Sequence, residues 1–599
     1  MGSEEKITTL NGHLYFQVFI SGANKILENQ KLLNKINVFP VPDADTGTNL
    51  ASTLRAVIDN ARPSDSYTLT ANSIAVAALN GARGNSGVIF AQFLYGMSIE
   101  AGEARHISID DFVDSIKRSV SYIYSAIADP VEGTMLTVIR EWADFIYAQK
   151  GIIDDFRKLF KSSYEIALKS LAETTLKLKA LALANVVDAG AKGFVLFLEG
   201  IIEGFRKTLL HEEIIARYDE IDQSALGNIK HEEFNFRFCT EAMIHGQDID
   251  HKKVKSLISG MGDSLVIAGS EKMVRLHIHT DHPHILFEKL REFGKIHYQK
   301  ADDMKKQQEA MYSRKWKIAL VTDSTSDLSA ELMEQYQVHM IPLNVHFGES
   351  QYLDKITLQP DQFYDLVNRE KNYPSTSQPN ETSFLNVYSH LASHYDSVIS
   401  VHVSEKFSGT FRNARNAAER ISKELGKPIS VIDSQNVSGS LGLLTLRIAQ
   451  AIESGMKHEE IVAQSEEWKK NTKIYVSVKT LKYMIRGGRV SKTKGFVAGL
   501  LNILPIISIN EEGKSELFDK AFSQKSNMKK VMNHAREFLN GRKVHDYIVT
   551  HAEDEENASW FVREMEELTG LKPVSVVSIS PVVGVNAGKG TVALAVMAE

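Results

Sequence analysis

A single cysteine, Cys239, in 599 residues rules out any disulfide within the chain. It leaves the thiol three possible roles: buried filler, reactive group or metal ligand. No uninterrupted apolar run reaches the length that crosses a bilayer, and the opening MGSEEKITTL lacks a basic segment followed by an apolar core. No integral membrane segment is therefore expected, and the cytoplasm is the expected location. Basic residues are not in excess either: 69 lysines and arginines face 75 aspartates and glutamates, a formal charge of -6, with no basic stripe or basic-aromatic motif. Nucleic acid is thereby excluded as an expected partner, and anionic ligands must be met by local sites. No short-period repeat suggests a solenoid. The length exceeds what one hydrophobic core supports, so two to four domains are expected.

What is present divides by pattern. From about Gly12 to Phe205, apolar residues recur at helical spacing, as in SIAVAALNGARGNSGVIFAQFLYG, which predicts an all-helical first domain. A polar stretch leads into FNFRFCTEAMIHG and SLVIAGSEKMVRLHIHTDHP, where β-branched and apolar residues alternate with polar ones, predicting a small α/β domain. The charged run ADDMKKQQEAMYSRK reads as a solvated helix or linker. Beyond it, apolar strands, polar turns and helix starts alternate in KIALVTDSTSDL, DSVISVHVSEKFSGTF and ISVIDSQNVSGSLG, which predicts a largely parallel sheet.

Chemistry concentrates first in NVFPVPDADTGTN, Asn37 to Asn49. Asp43 and Asp45 are hard oxygen ligands suited to Mg²⁺, which shares its remaining positions with water and substrate phosphates. Thr46, Thr48 and Asn49 can hydrogen-bond the same anion, and Gly47 lets backbone approach it. GARGNSG from Gly81 can present Asn85, Ser86 and backbone donors to phosphate, while PVEGTMLTV and VVDAGAKG also punctuate helical stretches with glycine. Singly, GARGNSG reads equally well as a packing junction, and the other two read more readily as helix caps or close helix crossings. His277 and His279, two apart, share one face of a strand. With Cys239 they form a competent zinc set, though a hydrogen-bonded histidine pair beside an inert thiol explains the spacing more simply.

The four motifs together, in order, resemble the ATP-binding helical domain of the dihydroxyacetone kinase superfamily, and more closely its fatty acid kinase branch. That resemblance implies an all-α helical barrel in which Asp43 and Asp45 hold catalytic Mg²⁺ with Asn37 as a third contributor. Thr46, Thr48, Asn49, Asn85 and Ser86 would hold the ATP phosphates, and Gly133, Thr134, Met135 and Asp188 would surround base or ribose. Ala44 replaces the glycine usual between the two aspartates. FCTEAMIHG, GDSLVI and LHIHTDHP are similar to the fatty acid kinase middle domain, which implies that Cys239, His277 and His279 bind Zn²⁺.

From Trp316 onward, VTDSTSDL, PSTSQP, KFSGTF, VIDSQNVSGSLG, VKTLKYMIRGGRVSK and LLNILPII resemble the two-lobed α/β DegV family of fatty-acid carriers. The resemblance implies that Thr376 and Ser408 grip the fatty acid carboxylate. Two positions depart from the family: Asn586, with Lys589 nearby, replaces a histidine in the last glycine turn, and Phe522, between Lys520 and Lys525, replaces an arginine. Arg486 and Arg489 read equally well as a solvated basic turn or a docking contact. The implied division is 1–206, 207–300, a linker 301–315, and 316–599. The implied activity is ATP-dependent formation of acyl phosphate, with a homodimer and acceptor enzymes of phospholipid synthesis as partners. The alternatives are a nucleotide-regulated lipid carrier without turnover, and a small-polyol or dihydroxyacetone-type kinase.

Overall fold

The computed structural model describes residues 6–39, 45–209, 235–489 and 503–599, arranged as two compact units that divide between Met304 and Lys305. Among the described residues no helix is long and apolar enough to cross a membrane.

The first unit begins as a helical assembly. Side-chain caps start several helices: Asn11 accepts from the Leu14 N–H at 2.8 Å ahead of Gly12–Glu28, and Ser66 and Ser108 do the same for Tyr67–Gly81 and Ile109–Ala126. A close crossing joins Gly12–Glu28 to Ala189–Leu209, where a Cβ on Gly200 would lie 2.7 Å from the Gly22 Cα. Only glycine permits that approach, and Phe19, Phe90 and Phe197 interlock beside it. The all-helical expectation holds apart from a small ribbon, Thr9–Asn11 paired antiparallel with His106–Ser108.

The same unit contains a four-stranded antiparallel sheet in the order Asp263–Ser270, Met273–Thr280, Phe238–His245, Lys295–Asp303, with helices His251–Ile258 and Pro283–Leu290. Val266 and Ala268 of this sheet belong to the helical core, so sheet and helices share one interior. The expected linker begins inside a strand. Residues 301–303 complete Lys295–Asp303, and Met304–Tyr312 is helical, because the charged residues there alternate along a strand edge and then along a helix.

In the second unit the parallel expectation holds for one sheet, in the order Ile429–Asp433, Ser397–His402, Ile318–Asp323, His339–Ile341. It fails for the three-stranded sheet Ser350–Leu353, Asn344–Phe347, Ser375–Ser377, which is antiparallel throughout, and for the largest sheet. The six-stranded sheet runs Ser515–Ala521, Leu504–Ile509, Thr472–Ser477, Val592–Ala598, Val544–His551, Ser575–Ser578, and only its last pair is parallel. Strand–helix alternation identifies element types but not neighbours. Here Val592–Ala598 inserts between two earlier strands and runs opposite to both.

Buried polar pins fix this unit. Asp327 accepts from Lys355 Nζ at 2.8 Å, from Ser438 Oγ at 2.6 Å and from the Ser580 N–H at 3.0 Å, tying the VTDSTSDL turn to the glycine-rich C-terminal segment. Asp323, His402, Ser400 and Tyr388 form a fully buried chain, with His402 Nδ1 3.0 Å from Asp323 Oδ2 and Nε2 2.7 Å from Ser400 Oγ. Asp354, also fully buried, accepts the Val582 N–H at 3.2 Å.

Burial pushes the Asp354 carboxyl from 3.8 up to about 7. The native group keeps its proton to about neutrality while the unfolded one releases it near pH 4, so this stability is complete in acid and is lost as pH rises to about 7. Asp354→Asn, neutral throughout and still able to accept from Val582, is expected to raise the thermal midpoint at pH 8 and leave it nearly unchanged at pH 4, read by scanning calorimetry at both pH values.

Candidate functional site

In the first unit the fold gathers the separated motifs into one place. Asp43 and Ala44 lie outside the described residues. Asp45 precedes the helix Thr46–Asn60, and its carbonyl accepts the Asn49 N–H at 2.8 Å. Thr46, Asn49 and Asn37 are buried. Thr48 is braced from the preceding helix: its Oγ1 accepts from Asn34 Nδ2 at 2.9 Å and Gln30 Nε2 at 3.2 Å, and its N–H donates to Asn34 Oδ1 at 3.0 Å. Its side chain is thus held by the fold.

Gly84 of GARGNSG takes φ +54°, and a Cβ there would lie 2.1 Å from Asn49 Nδ2, so the acidic loop's helix and the glycine loop touch. Asn85 Oδ1 is buried with no hydrogen-bond partner among the described residues, a polar atom in want of a ligand. A Cβ on Gly190 would meet Ser86 Oγ at 3.1 Å and Asp188 Oδ1 and Met135 Cβ at 3.4 Å, which brings the second and fourth motifs onto the third. Thr134 caps nothing with its hydroxyl, which donates to the Val131 carbonyl, while the Gly133 N–H donates to Thr137 Oγ1 at 2.7 Å. Asp188 accepts the N–H groups of Ala191, at 2.8 Å, and Met135. Burial lifts its carboxyl to about 6, and its described contacts fasten two helix starts together.

The sheet adds a group that could hold a metal. Cys239 stands directly opposite His279, and Glu241 opposite His277, on neighbouring antiparallel strands. The Cys239, His277 and His279 ligand atoms all lie within 4.8 Å of one another, and Cys239 Sγ is 3.9 Å from His277 Nδ1. His277 Nε2 is buried without a partner among the described residues. Burial, reinforced by the neighbouring His279, lowers His277 to about 3, so it is neutral as a ligand must be. Burial pushes the Cys239 thiol well up, and the Asp45 carboxylate is among the charges adding to that shift. The proton on that thiol leaves only against a compensating cation, which the donor set fits. The Asp45 charge is thus felt at Cys239.

Four residues of this site were not identified from sequence. Asp263 Oδ1 lies 3.3 Å from His279 Nδ1, at ion-pair distance but without a well-aligned hydrogen bond, and is placed to orient the ring once a metal is held. Lys300, opposite Glu241 and paired with Asp302, has its pKa raised; burial opposes that shift, but Asp302, Glu241 and Cys239 outweigh it. Glu241 and Arg275, 1% and 2% exposed, form an ion pair at 2.9 Å. Burial alone would raise Glu241, yet Arg275 and Lys300 hold it at about 2. The period-two run Arg275, His277, His279 carried this signal.

In the second unit, Thr376 sits on the strand Ser375–Ser377 and Ser408 just ahead of the helix Thr410–Leu425. Their loops are joined: the Gly409 N–H donates to Gln378 Oε1 at 2.9 Å, and Asn413 Nδ2 to the Pro379 carbonyl at 2.8 Å. Ser408 Oγ lies 2.7 Å from Thr410 Oγ1. The helix Pro581–Ala587, which carries Asn586, packs on the Thr376 strand, and Asn586 Oδ1 is buried without a partner among the described residues. Arg486 lies 4.4 Å over the Tyr373 ring, which stacks on Tyr483, whereas Phe522 is 78% exposed.

Comparison with known proteins agrees with this division of labour. Residues 40–203 match the DAK2 domain, and residues 235–311 match the middle domain of FakA-like fatty acid kinases. The class is thus a kinase-like helical domain joined to a FakA-like middle domain. Residues 317–599 match the DegV family, and the chain belongs to that family through this half. A DegV domain-containing protein of Staphylococcus aureus is 30% identical over 46% of this chain and 98% of its own length. An uncharacterized protein of Staphylococcus epidermidis is 31% identical over 55% of this chain and 64% of its own, so the chain spans under two thirds of that relative. The crystal structure of DegV, a fatty acid binding protein from Bacillus subtilis, aligns with 47% of this chain and 100% of its own at 31% identity, with a TM-score of 0.43.

Asp263→Ala is expected to weaken zinc binding about tenfold or more while the three ligands remain, and Cys239→Ser to weaken it further, measured by competition with a chromophoric chelator.

Proposed function

We propose that this chain transfers the γ-phosphoryl group of ATP to a fatty acid carboxylate, forming acyl phosphate and ADP, with 1–206 and 207–300 as kinase parts and 316–599 as acyl carrier. The observation that supports it best is the Glu241–Gly84 hydrogen bond, which joins the strand of Cys239, paired with that of His277 and His279, to the glycine loop that carries Asn85 and Ser86 and touches Asn49. The first unit carries the DAK2 and fatty acid kinase-like domains.

A carboxylate is already a nucleophile, so the site needs no strong base; it needs position and charge neutralisation. Asp45, with Asp43 and Asn37, would hold Mg²⁺, and Cys239, His277 and His279 would hold Zn²⁺. The bound cations would supply charge stabilisation for the transferred phosphoryl group. Asn85 and Ser86 would orient the phosphates from a helix N-terminus, and Gly84 and Gly190 let Asn49, Ser86 and Asp188 approach closely around them. Thr376 and Ser408 hold the carboxylate in the carrier, whose apolar interior favours the tail by about 0.8 kcal/mol per buried methylene. The chain would act as a cytoplasmic homodimer supplying acyl phosphate to phospholipid synthesis. Asn586 and the exposed Phe522 favour one second reading, a nucleotide-regulated lipid carrier.

Purified protein given Mg-ATP, oleate and hydroxylamine is expected to yield acyl hydroxamate. No hydroxamate despite bound lipid and nucleotide would establish the carrier reading instead. Asp45→Ala is expected to lower the yield roughly a hundredfold with lipid retained. Thr376→Val with Ser408→Ala is expected to abolish co-purified fatty acid, read by mass spectrometry of an organic extract.

A further inference from the structure

Glu241 touches both halves of the first unit's site. Its Oε1 accepts the Gly84 N–H at 2.9 Å, at the start of the helix bearing Asn85 and Ser86. Its Oε2 accepts from Arg275 Nη2 at 2.9 Å, and Arg275 Nη1 donates to the Asn80 carbonyl at 3.0 Å, on the other side of the same glycine loop. The Arg275 guanidinium lies 4.8 Å over the Tyr298 ring. Arg275 precedes the ligand His277 by two residues on one strand, and Glu241 faces His277 in register and follows Cys239 by two on the next. The glycine loop is therefore held at both ends by the two strands that carry all three metal ligands.

We infer that the Glu241–Arg275 pair couples metal binding at Cys239, His277 and His279 to the conformation of the glycine loop, so that metal and nucleotide bind cooperatively. Glu241 is in this sense a positioning residue: it acts on phosphate through Gly84. The coupling rests on the reading of the glycine loop as a nucleotide site only for its nucleotide half. Two physical facts drive it. An ion pair this deeply buried tolerates little displacement of either partner, because each uncompensated charge is costly. Metal binding draws Cys239 and His277 onto one cation and so fixes the registered strands from which Glu241 and Arg275 project. By linkage the effect is reciprocal.

Hydrogen exchange of the full-length protein tests the coupling without nucleotide. Adding Zn²⁺ is expected to slow exchange of the Gly84 amide by about tenfold in the wild-type protein. In Glu241→Met/Arg275→Met, which replaces the pair by side chains of similar volume, zinc is expected to bind with less than about a twofold change at Gly84. Titration calorimetry with ADP supplies the second readout: about tenfold tighter binding to the zinc-loaded wild type, and no zinc dependence in the double variant. Should the double variant not fold, Glu241→Gln decides, since it keeps an acceptor for Gly84 but loses the charge facing Arg275; its linkage is expected to fall severalfold. An unchanged zinc effect at Gly84 in a folded variant overturns the inference, as does zinc that fails to bind the wild type or binds without slowing Gly84. If zinc slows Gly84 but ADP binds neither form, the coupling stands and the kinase reading falls.

Discussion

The arrangement of the first unit depends on one buried ion pair. Glu241 and Arg275 are almost wholly removed from water, and stripping each ion of its hydration costs several kcal/mol in effect. That penalty is offset by the groups directed at the pair, Gly84 and Arg275 on Glu241, Asn80 and the Tyr298 face on Arg275, although Arg275 Nε is buried without a partner among the described residues. A well-packed apolar pair would hold sheet and helices together as firmly. What the charged pair adds is direction, fixing a particular glycine backbone against a particular strand. The site is therefore a property of the seam, and neither the helices nor the sheet contains it alone.

The second unit solves a different problem with weaker groups. Its two candidate carboxylate hydroxyls come from a strand and from a loop in different parts of the unit, whose flanking segments are tied by the Gln378–Gly409 and Asn413–Pro379 hydrogen bonds. Asp327 anchors the turn behind them to the segment ahead of Asn586. The departures at Asn586 and Phe522 thus fall in contrasting surroundings: Asn586 is packed among glycine turns with an unsatisfied oxygen, and Phe522 is presented to solvent.

Sequence made the elements of this chain legible to different degrees. Glycine-punctuated helices and the period-two histidines could be read, because local sterics and strand geometry write themselves into spacing. The Cys239 face could be paired with His277 and His279 only through resemblance, since strand register is a long-range fact. Glu241 and Arg275 were passed over because a charged residue on a strand ordinarily faces water, and only the neighbouring helix turns that face into an interior. Asp188 and Thr48 illustrate the converse: polar residues read as ligand contacts are engaged by helix starts and by Asn34. The antiparallel sheet was missed because an inserted strand leaves no local mark on its neighbours.

That inserted strand, Val592–Ala598, has a consequence for how the protein is made. Thr472–Ser477 and Val544–His551 leave the ribosome well before it, and each presents an apolar edge that stays unpaired until residues 592–598 arrive. Such pairings are slow because loop closure precedes their reward, and open edges meanwhile invite association with other chains. The six-stranded sheet of the second unit therefore cannot close until residues 592–598 are available, and until then its central strands carry the chain's exposure to misassociation.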